Sequence, residues 1–555
     1  MRRLFFIIPA LAVLYSCSPD SDFDYRALNR KASDEYLTTI RCSEDNGPFW
    51  NRFADKFIYA PAFDFPEFDG AAGYLFTVRF VDDVYRVPVP SRDYTNGKAP
   101  RPGIERIEAL FAENAGKGEW SFKASSPKAS LAPIWNDIEV GNVILKVDAL
   151  DKDGKAIGTV GGFEFLRDFP FEGPYYGQAR SYREAAQLAL LHTHCQEFVR
   201  YWLDHDYPDP SYSLNGYVCK IVGSTVRNEV KLMELLPSLR EDCLAIARKA
   251  ADFMISAAQA PGTPLAYFPP TYYKDYHAIT TRYAGQTMGM EAAGAAIDLL
   301  DLYDACGDER YYEQALGIAR TYCRIQAEDG SVPIKMYIET AEPVNGVKAT
   351  LFRMLDLFRR FDKQYGVTEF RDALARGDGW MRGKVADSFD LTGQFEDVDV
   401  RDLQPFQNLC NATYGGFASY LFGLEDCSRS DIAVASEMLA LAEDQFVHWD
   451  LLEKSDGTRE GTSPCVYEQY QYKTPIDASA VCVGGAFLAK YKVTGDKLAL
   501  AKAKALADAL TRAQDPRTGL VNTYFRYDAN AGGAYWLNCN LSSAMFLLKM
   551  SEILE

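Results

Sequence analysis

A block of sequence recurs at one fixed offset, and a chain that carries such a repeat has few architectures open to it. Gly307-Asp308 opens GDERYYEQALGIARTYCRIQAEDG, and Gly495-Asp496 opens GDKLALAKAKALADALTRAQDPRTG. The offset of 188 residues holds from Gly307 to Gly495, from Ala315 to Ala503, from Ala319 to Ala507 and from Gln326 to Gln514. A looser third copy has Ala247, Ala251 and Gln259. The Gly-Asp pair ends one helix and caps the next. Alanines four apart let two helices approach closely, and the glycine that follows turns the chain into a short extended stretch.

The rest of the chain from about Ser181 onward keeps this rhythm, with long apolar runs at helical spacing broken by Gly, Pro and aromatic loops. The spacing predicts helices near 181–205, 226–236, 240–259, 284–306, 309–327, 347–364, 368–386, 408–422, 430–449, 477–493, 496–513 and 537–553, a pace suited to paired helices. On these residues the chain resembles the six-hairpin glycosidase superfamily, whose fold is an (α/α)6 toroid of two concentric helix rings. The resemblance covers residues 175–555. It implies a mainly α protein acting on a carbohydrate, with a cleft built from loops at one end of the inner helices. It leaves the reaction open, since this toroid hosts hydrolases, lyases and epimerases.

Residues 50–170 have a different period. Tyr74 to Val81 is a β-branched and aromatic run, Val143 to Leu150 follows Gly141 as an alternating one, and the polar turn Asp151-Lys152-Asp153-Gly154-Lys155 joins it to a partner strand over Gly158 to Phe165. The pattern resembles a fibronectin type III or immunoglobulin-like β-sandwich, a smaller N-terminal domain serving as spacer or docking unit.

The first 17 residues read as an address. Arg2 and Arg3 precede an apolar run from Leu4 to Val13, too short to span a bilayer, and Ser16-Cys17 follows. This resembles a lipoprotein signal with Cys17 as the lipidated first residue, although Tyr15 replaces the usual small residue. Asp20, Asp22 and Asp24 behind it resemble the surface-export signal of Bacteroidetes-type lipoproteins, on a tether running to residue 49. The expectation is an outer-membrane lipoprotein, at the cell surface or facing the periplasm, held to the membrane by its lipid and otherwise a monomer.

Composition narrows the partners. With 59 Lys and Arg against 77 Asp and Glu the net charge is −18, which repels nucleic acid at long range but allows a local basic cluster to hold an anionic ligand. Beyond Cys17 eleven cysteines remain, none in a CxxC, so no zinc ribbon or redox motif is read and one or two disulfides stay open. No phosphate loop occurs, and no cofactor or metal is expected. His192 and His194 stand two apart on a helix and so face different sides.

Four aromatic and polar loop stretches are candidates for the chemistry. In 393–408, Glu396, Asp397 and Asp399 precede a helix, as general acid or base or merely as fixing carboxylates. In 463–479, Glu468 interleaves with Tyr467, Tyr470 and Tyr472; strand alternation puts Glu468, Tyr470 and Tyr472 on one face, while Asp477 reads as a helix cap. In 266–283, Tyr267, Tyr272, His277 and Arg282 would suit a uronate, with Arg282 on its carboxylate. In 522–538, Trp536 is a stacking platform. The leading reading is glycoside hydrolysis by Glu468 and one of Glu396, Asp397 or Asp399, with Asp397 preferred. The alternatives are a polysaccharide lyase using a Tyr or His base, and a non-catalytic glycan-binding lipoprotein.

Overall fold

The computed structural model describes residues 54–63, 67–84, 104–173, 175–273, 276, 278–386, 408–451, 463–470, 472–524 and 535–555. The signal, Cys17 and the tether lie outside the described residues.

The N-terminal part is built on one five-stranded sheet. Its strands are β1 (Lys56–Phe57), β3 (Gly73–Asp82), β4 (Glu119–Ala124), β6 (Gly141–Leu150) and β7 (Ala156–Arg167), in the order β1-β7-β6-β3-β4. The β6–β7 hairpin turns where the sequence places it: Asp151 Oδ1 accepts from the amides of Asp153 and Lys155, both at 2.9 Å, and Gly154 takes φ 78°. Period two puts Val143, Leu145 and Val147 on one face, with Phe57, Phe76 and Phe165 in the same core. Ile144 points the other way, into a small cluster with Val81, Ile107, Leu110 and Phe111.

That second face corrects the expected sandwich. Among the described residues it is covered by helix α1 (Ile104–Glu113) and not by a second sheet; the only further ladder there pairs β2 (Ala62–Phe63) with β5 (Ala129–Ser130). Ile107, Leu110 and Phe111 recur at helical spacing, so the segment buries an apolar stripe as a helix and leaves no row of backbone groups for a facing sheet.

Twelve helices then form six hairpins. The even-numbered ones are α2 (Tyr182–His194), α4 (Arg240–Ser256), α6 (Glu309–Ile325), α8 (Arg371–Trp380), α10 (Arg429–Phe446) and α12 (Lys497–Ala513). The odd-numbered ones are α3 (Gly223–Leu235), α5 (Glu291–Cys306), α7 (Phe352–Tyr365), α9 (Asn411–Phe422), α11 (Asp477–Thr494) and α13 (Leu537–Leu554). Each odd helix packs on the next, α3 on α5, α5 on α7, α7 on α9, α9 on α11, α11 on α13, and α13 back on α3. The even helices back them, α13 pairing with α2 to close the ring. This is the two-layered toroid that the repeat implied. The C-terminal side chain seals the closure: Glu555 accepts from the amides of Tyr182 at 2.7 Å and Arg183 at 3.2 Å, at the start of α2.

The repeated residues do the same work twice. Gly307 and Gly495 end α5 and α11 at φ 70° and 72°, and Asp308 and Asp496 cap α6 and α12 with their side chains. Gln326 Nε2 donates to Gly330 O and to Ala373 O on α8, both at 3.0 Å; Gln514 Nε2 donates to Gly519 O at 2.6 Å and to Ala185 O on α2 at 2.8 Å. Each glutamine ties one outer helix to the next, and the two copies lie three hairpins apart on opposite sides of the ring. Close packing of the inner ring uses glycine: a Cβ on Gly415 of α9 would come within 2.9 Å of Cys482 Sγ on α11.

A buried polar clamp fixes the sheet to the toroid. Lys56 Nζ donates to Asp444 O at 2.7 Å and Val447 O at 2.8 Å and lies 3.3 Å from Asp168 Oδ2. Asp444 Oδ1 accepts from the amides of Ile58 at 2.7 Å and Tyr59 at 2.8 Å. Burial pushes the Asp168 carboxyl up, but His448 and Lys56 outweigh it and hold it below the usual range. The ten described cysteines are all free thiols. Among the described residues no helix is long and apolar enough to cross a membrane.

Candidate functional site

The hairpin order gives the toroid two unlike faces. Turns from an inner to the following outer helix have two to six residues, whereas connections from an outer to the next inner helix have 23 to 34. All the long connections meet at the N-terminal ends of the inner helices, where amide groups and helix dipoles point outward. The four stretches singled out from the sequence belong to four of these connections.

At this face an aromatic row runs across three connections. Trp536 lies 5.6 Å from Tyr217, Tyr217 lies 6.0 Å from Tyr272, and Tyr272 lies 5.4 Å from Tyr283, measured between ring centroids. A lysine stands at each end: Lys220 Nζ is 5.6 Å and 5.8 Å from the Tyr217 and Trp536 rings, and Lys335 Nζ is 3.6 Å from the Tyr283 ring. Tyr217, Tyr272 and Tyr283 are buried and form a wall; Trp536 is half-buried and offers its ring. Arg282 is exposed, with its guanidinium 5.3 Å from the Tyr283 ring.

Glu468 comes to the same end. It sits half-buried on β11 (Cys465–Gln469), and its carbonyl accepts from Asn411 Nδ2 at 2.7 Å, at the first residue of α9. Burial raises the Cys539 thiol well above its ordinary pKa; the charges of Asp477 and Glu468 raise it further and that of Lys220 opposes them. One thiol at the start of α13 therefore feels both carboxyls and the lysine beside Trp536. Asp477 is wholly buried, and burial pushes its carboxyl well above the usual range. It is the first residue of α11 and not its cap: Oδ1 accepts from Ala478 N at 2.7 Å, and Ser543 Oγ donates to Oδ2 at 3.0 Å.

Three expected contacts are corrected. Tyr470 does not share a face with Glu468: β11 ends at Gln469 after a register shift, and the Tyr470 hydroxyl donates to Gln445 Oε1 on α10 at 2.6 Å. Tyr467 is 6% exposed and packs 4.1 Å from the His448 ring, inside the structure. Tyr267 takes φ 69° and wedges its ring against α6, so close that a Cβ on Gly317 would meet its Cγ at 2.5 Å. Packing accounts for all three. Glu396, Asp397, Asp399 and His277, and the side chain of Tyr472, lie outside the described residues.

The ring axis holds a cavity of about 750 Å³ lined by all six inner helices. Arg353, Asp356, Lys492 and Lys549 lie on inner helices and are nonetheless solvent-exposed, because they face this space. Glu291, 2% exposed, pairs with Arg353 at 3.5 Å across α5 and α7. Burial pushes Asp298 up to about 8, against the pull of Arg227, Arg353 and Arg360 and with a push from Asp301. Asp356 reaches solvent only through the cavity, and enclosure by the surrounding ring raises it to about 6, opposed by Arg359 and Lys549. Two carboxyls with separated pKa values thus share one cavity. The sequence reading passed over these residues and Tyr217. Their signal was a charge within an otherwise apolar run, as in AAGAAIDLL around Asp298.

One group has ligand-forming atoms together: those of His194, Glu229 and Cys243 lie within 4.8 Å of one another, between α2, α3 and α4. His194 Nδ1 donates to Glu229 Oε2 at 2.6 Å, while Arg200 Nη1 donates to His194 Nε2 at 3.1 Å. Both ring nitrogens are engaged and a guanidinium stands at the ring edge, a poor setting for a cation. His192 turns elsewhere, its Nδ1 on Thr518 O at 3.2 Å.

No protein-family model matches the chain, and no curated protein matches it. Among solved structures it is similar to a family 76 glycoside hydrolase from a bovine Bacteroides thetaiotaomicron strain, at 10% identity over 88% of this chain and 96% of that one, with a TM-score of 0.47. It is similar to the cellobiose 2-epimerase of Spirochaeta thermophila, at 13% identity over 67% and 98%, TM-score 0.47. A third likeness is to an unsaturated glucuronyl hydrolase from Streptococcus agalactiae, at 10% identity over 67% and 92%, TM-score 0.45.

Proposed function

We propose that this chain is a carbohydrate-active enzyme that hydrolyses a glycosidic bond on the long-connection face of the toroid. The observation that carries the reading is the meeting of Glu468, Lys220 and the accessible Trp536 ring at one end of the inner helices. A sugar needs an aromatic plane to stack on and a carboxyl beside the scissile oxygen, and these residue types supply both. In this reading Trp536 carries a pyranose ring and Glu468 protonates the leaving oxygen. A second carboxylate from Glu396, Asp397 or Asp399, with Asp397 preferred, activates water. For an inverting pair the two carboxyls stand about 6.5–9.5 Å apart, leaving room for that water.

A lyase is the second reading, and the cations on the cavity favour it. In that case a tyrosine or His277 removes the proton beside a uronate carboxylate while Arg282 neutralises the charge. In either reading Cys17 anchors the enzyme as an outer-membrane lipoprotein, so that it meets glycans outside the cytoplasm.

The test is a screen of the mature chain against neutral and acidic glycans, reading reducing ends and ultraviolet absorbance together. New reducing ends without absorbance support hydrolysis, and Glu468→Gln then lowers turnover by at least ~100-fold. Absorbance at each cut refutes the two-carboxylate mechanism in favour of elimination. Affinity for a glycan with no product refutes the enzyme reading and leaves a binding protein.

A further inference from the structure

The axial cavity has the opposite charge to the molecule around it. The chain carries 77 acidic against 59 basic residues, yet the cavity lining has six cations and three carboxyls. The carboxyls are Glu291, Asp298 and Asp356; the first is paired with Arg353, and burial keeps the second largely protonated near neutral pH.

The cations are not spread evenly. Arg227 on α3, Lys492 on α11 and Lys549 on α13 come from three inner helices that follow one another around the ring. Burial lowers the Lys549 pKa, and the charges of Arg227 and Lys492 lower it further while Glu552 and Asp356 partly oppose them, so the three cations share one neighbourhood. Among the described residues neither lysine has a carboxylate within ion-pair distance. Arg227 has two carboxyls nearby, Asp301 at 3.6 Å and Asp298 at 4.0 Å. The negative end of a helix dipole accounts for Lys492, which lies in the last turn of α11. It does not account for Arg227 in the middle of α3. Like charges held together in a partly enclosed space repel one another unless an anion joins them.

We propose that the axial cavity seats an anionic saccharide, a sugar bearing a carboxylate or a sulfate, with its charge held by Lys492, Lys549 and Arg227. The inference rests on the reading of the chain as a carbohydrate-active enzyme and names the class of glycan; its charge is held in the C-terminal halves of α11 and α13, at the far end of the cavity from Trp536. The volume of about 750 Å³ admits one or two saccharide units within the ring. The acidic exterior repels a free polyanion at long range, whereas the cavity attracts a single acidic unit at short range, where salt screens it less.

The experiment measures binding of the full mature chain by calorimetry to three probes: a digalacturonate, a sulfated disaccharide and neutral cellobiose. The acidic probes bind at least tenfold more tightly than cellobiose in about 50 mM salt, and the preference shrinks in about 500 mM salt. The two acidic arms decide between carboxylate and sulfate. The double variant Lys492→Gln, Lys549→Gln loses the preference with an unchanged or higher melting temperature, because a repulsion is relieved. The surface variant Lys152→Gln, in the β6–β7 turn, keeps it. Equal binding of neutral and acidic probes overturns the inference, as does a preference that survives in the double variant. Cleavage of a neutral glycan without any acidic preference overturns this inference while the hydrolase reading stands. Acidic preference lost in the double variant, with no glycan cleaved, supports the inference and counts against the enzyme reading.

Discussion

Asp298→Asn makes the protein more stable, and only at the upper end of the pH range. Asp298 is 7% exposed on an inner helix, backed so closely onto α3 that a Cβ on Gly223 would meet its Oδ2 at 2.7 Å. Burial raises its pKa to about 8, and the guanidiniums of Arg227, Arg353 and Arg360 only partly offset this, with Asp301 working the other way. In the unfolded chain the same carboxyl titrates near 3.9. Between these values the folded state keeps a proton that the unfolded state has released. Stability therefore falls as pH rises from about 4, at up to about 1.4 kcal/mol per pH unit, and the loss is complete above about 8. Summed over the window this is on the order of a few kcal/mol. Asparagine has the same shape and no titration. The variant should match the wild type at about pH 4 and below and exceed it increasingly up to about pH 8, in thermal or urea denaturation followed across that range. A variant less stable than the wild type at pH 8 would refute the reasoning, since Asp298 would then be an ionised partner of Arg227. So would a difference that does not change with pH.

Lys56→Met removes the buried ammonium from the sheet–toroid boundary, strips the Asp444 and Val447 carbonyls of their donor and leaves Asp168 to His448 alone, at a cost of about 3–5 kcal/mol; proteolysis should then separate the N-terminal sheet from the helical ring. Gln326→Ala and Gln514→Ala each strip two carbonyls of their donor, so both should lower stability by about 1–3 kcal/mol and by similar amounts, read as midpoint shifts in urea. Trp536→Ala should weaken glycan affinity while the melting temperature stays close to that of the wild type, checked by calorimetry on whichever glycan binds.

What the sequence determined by itself depended on near neighbours. Helices ended at Gly307 and Gly495 and restarted at Asp308 and Asp496, because αL caps and side-chain caps are settled within a few residues. The 188-residue repeat marked stacked helix hairpins, since one hairpin cannot bury its apolar faces alone, and the resemblance to six-hairpin glycosidases implied that the stack closes into a ring. Helix α1 escaped the sequence reading although Ile107, Leu110 and Phe111 recur at helical spacing, because they sit among runs of strand character. The site followed a different logic. Glu468 and Trp536 stood out as candidates because they lie in long aromatic connections, where Tyr467 and Tyr470 looked equally eligible, and only packing sent those two to His448 and Gln445. The axial charges were out of reach. Lys549 meets Arg227 because α13 closes back on α3, joining residues more than 300 apart in the chain. Periodicity marks which residues turn inward; ring closure decides which charges then face one another, and a cavity's electrostatics depends on the second.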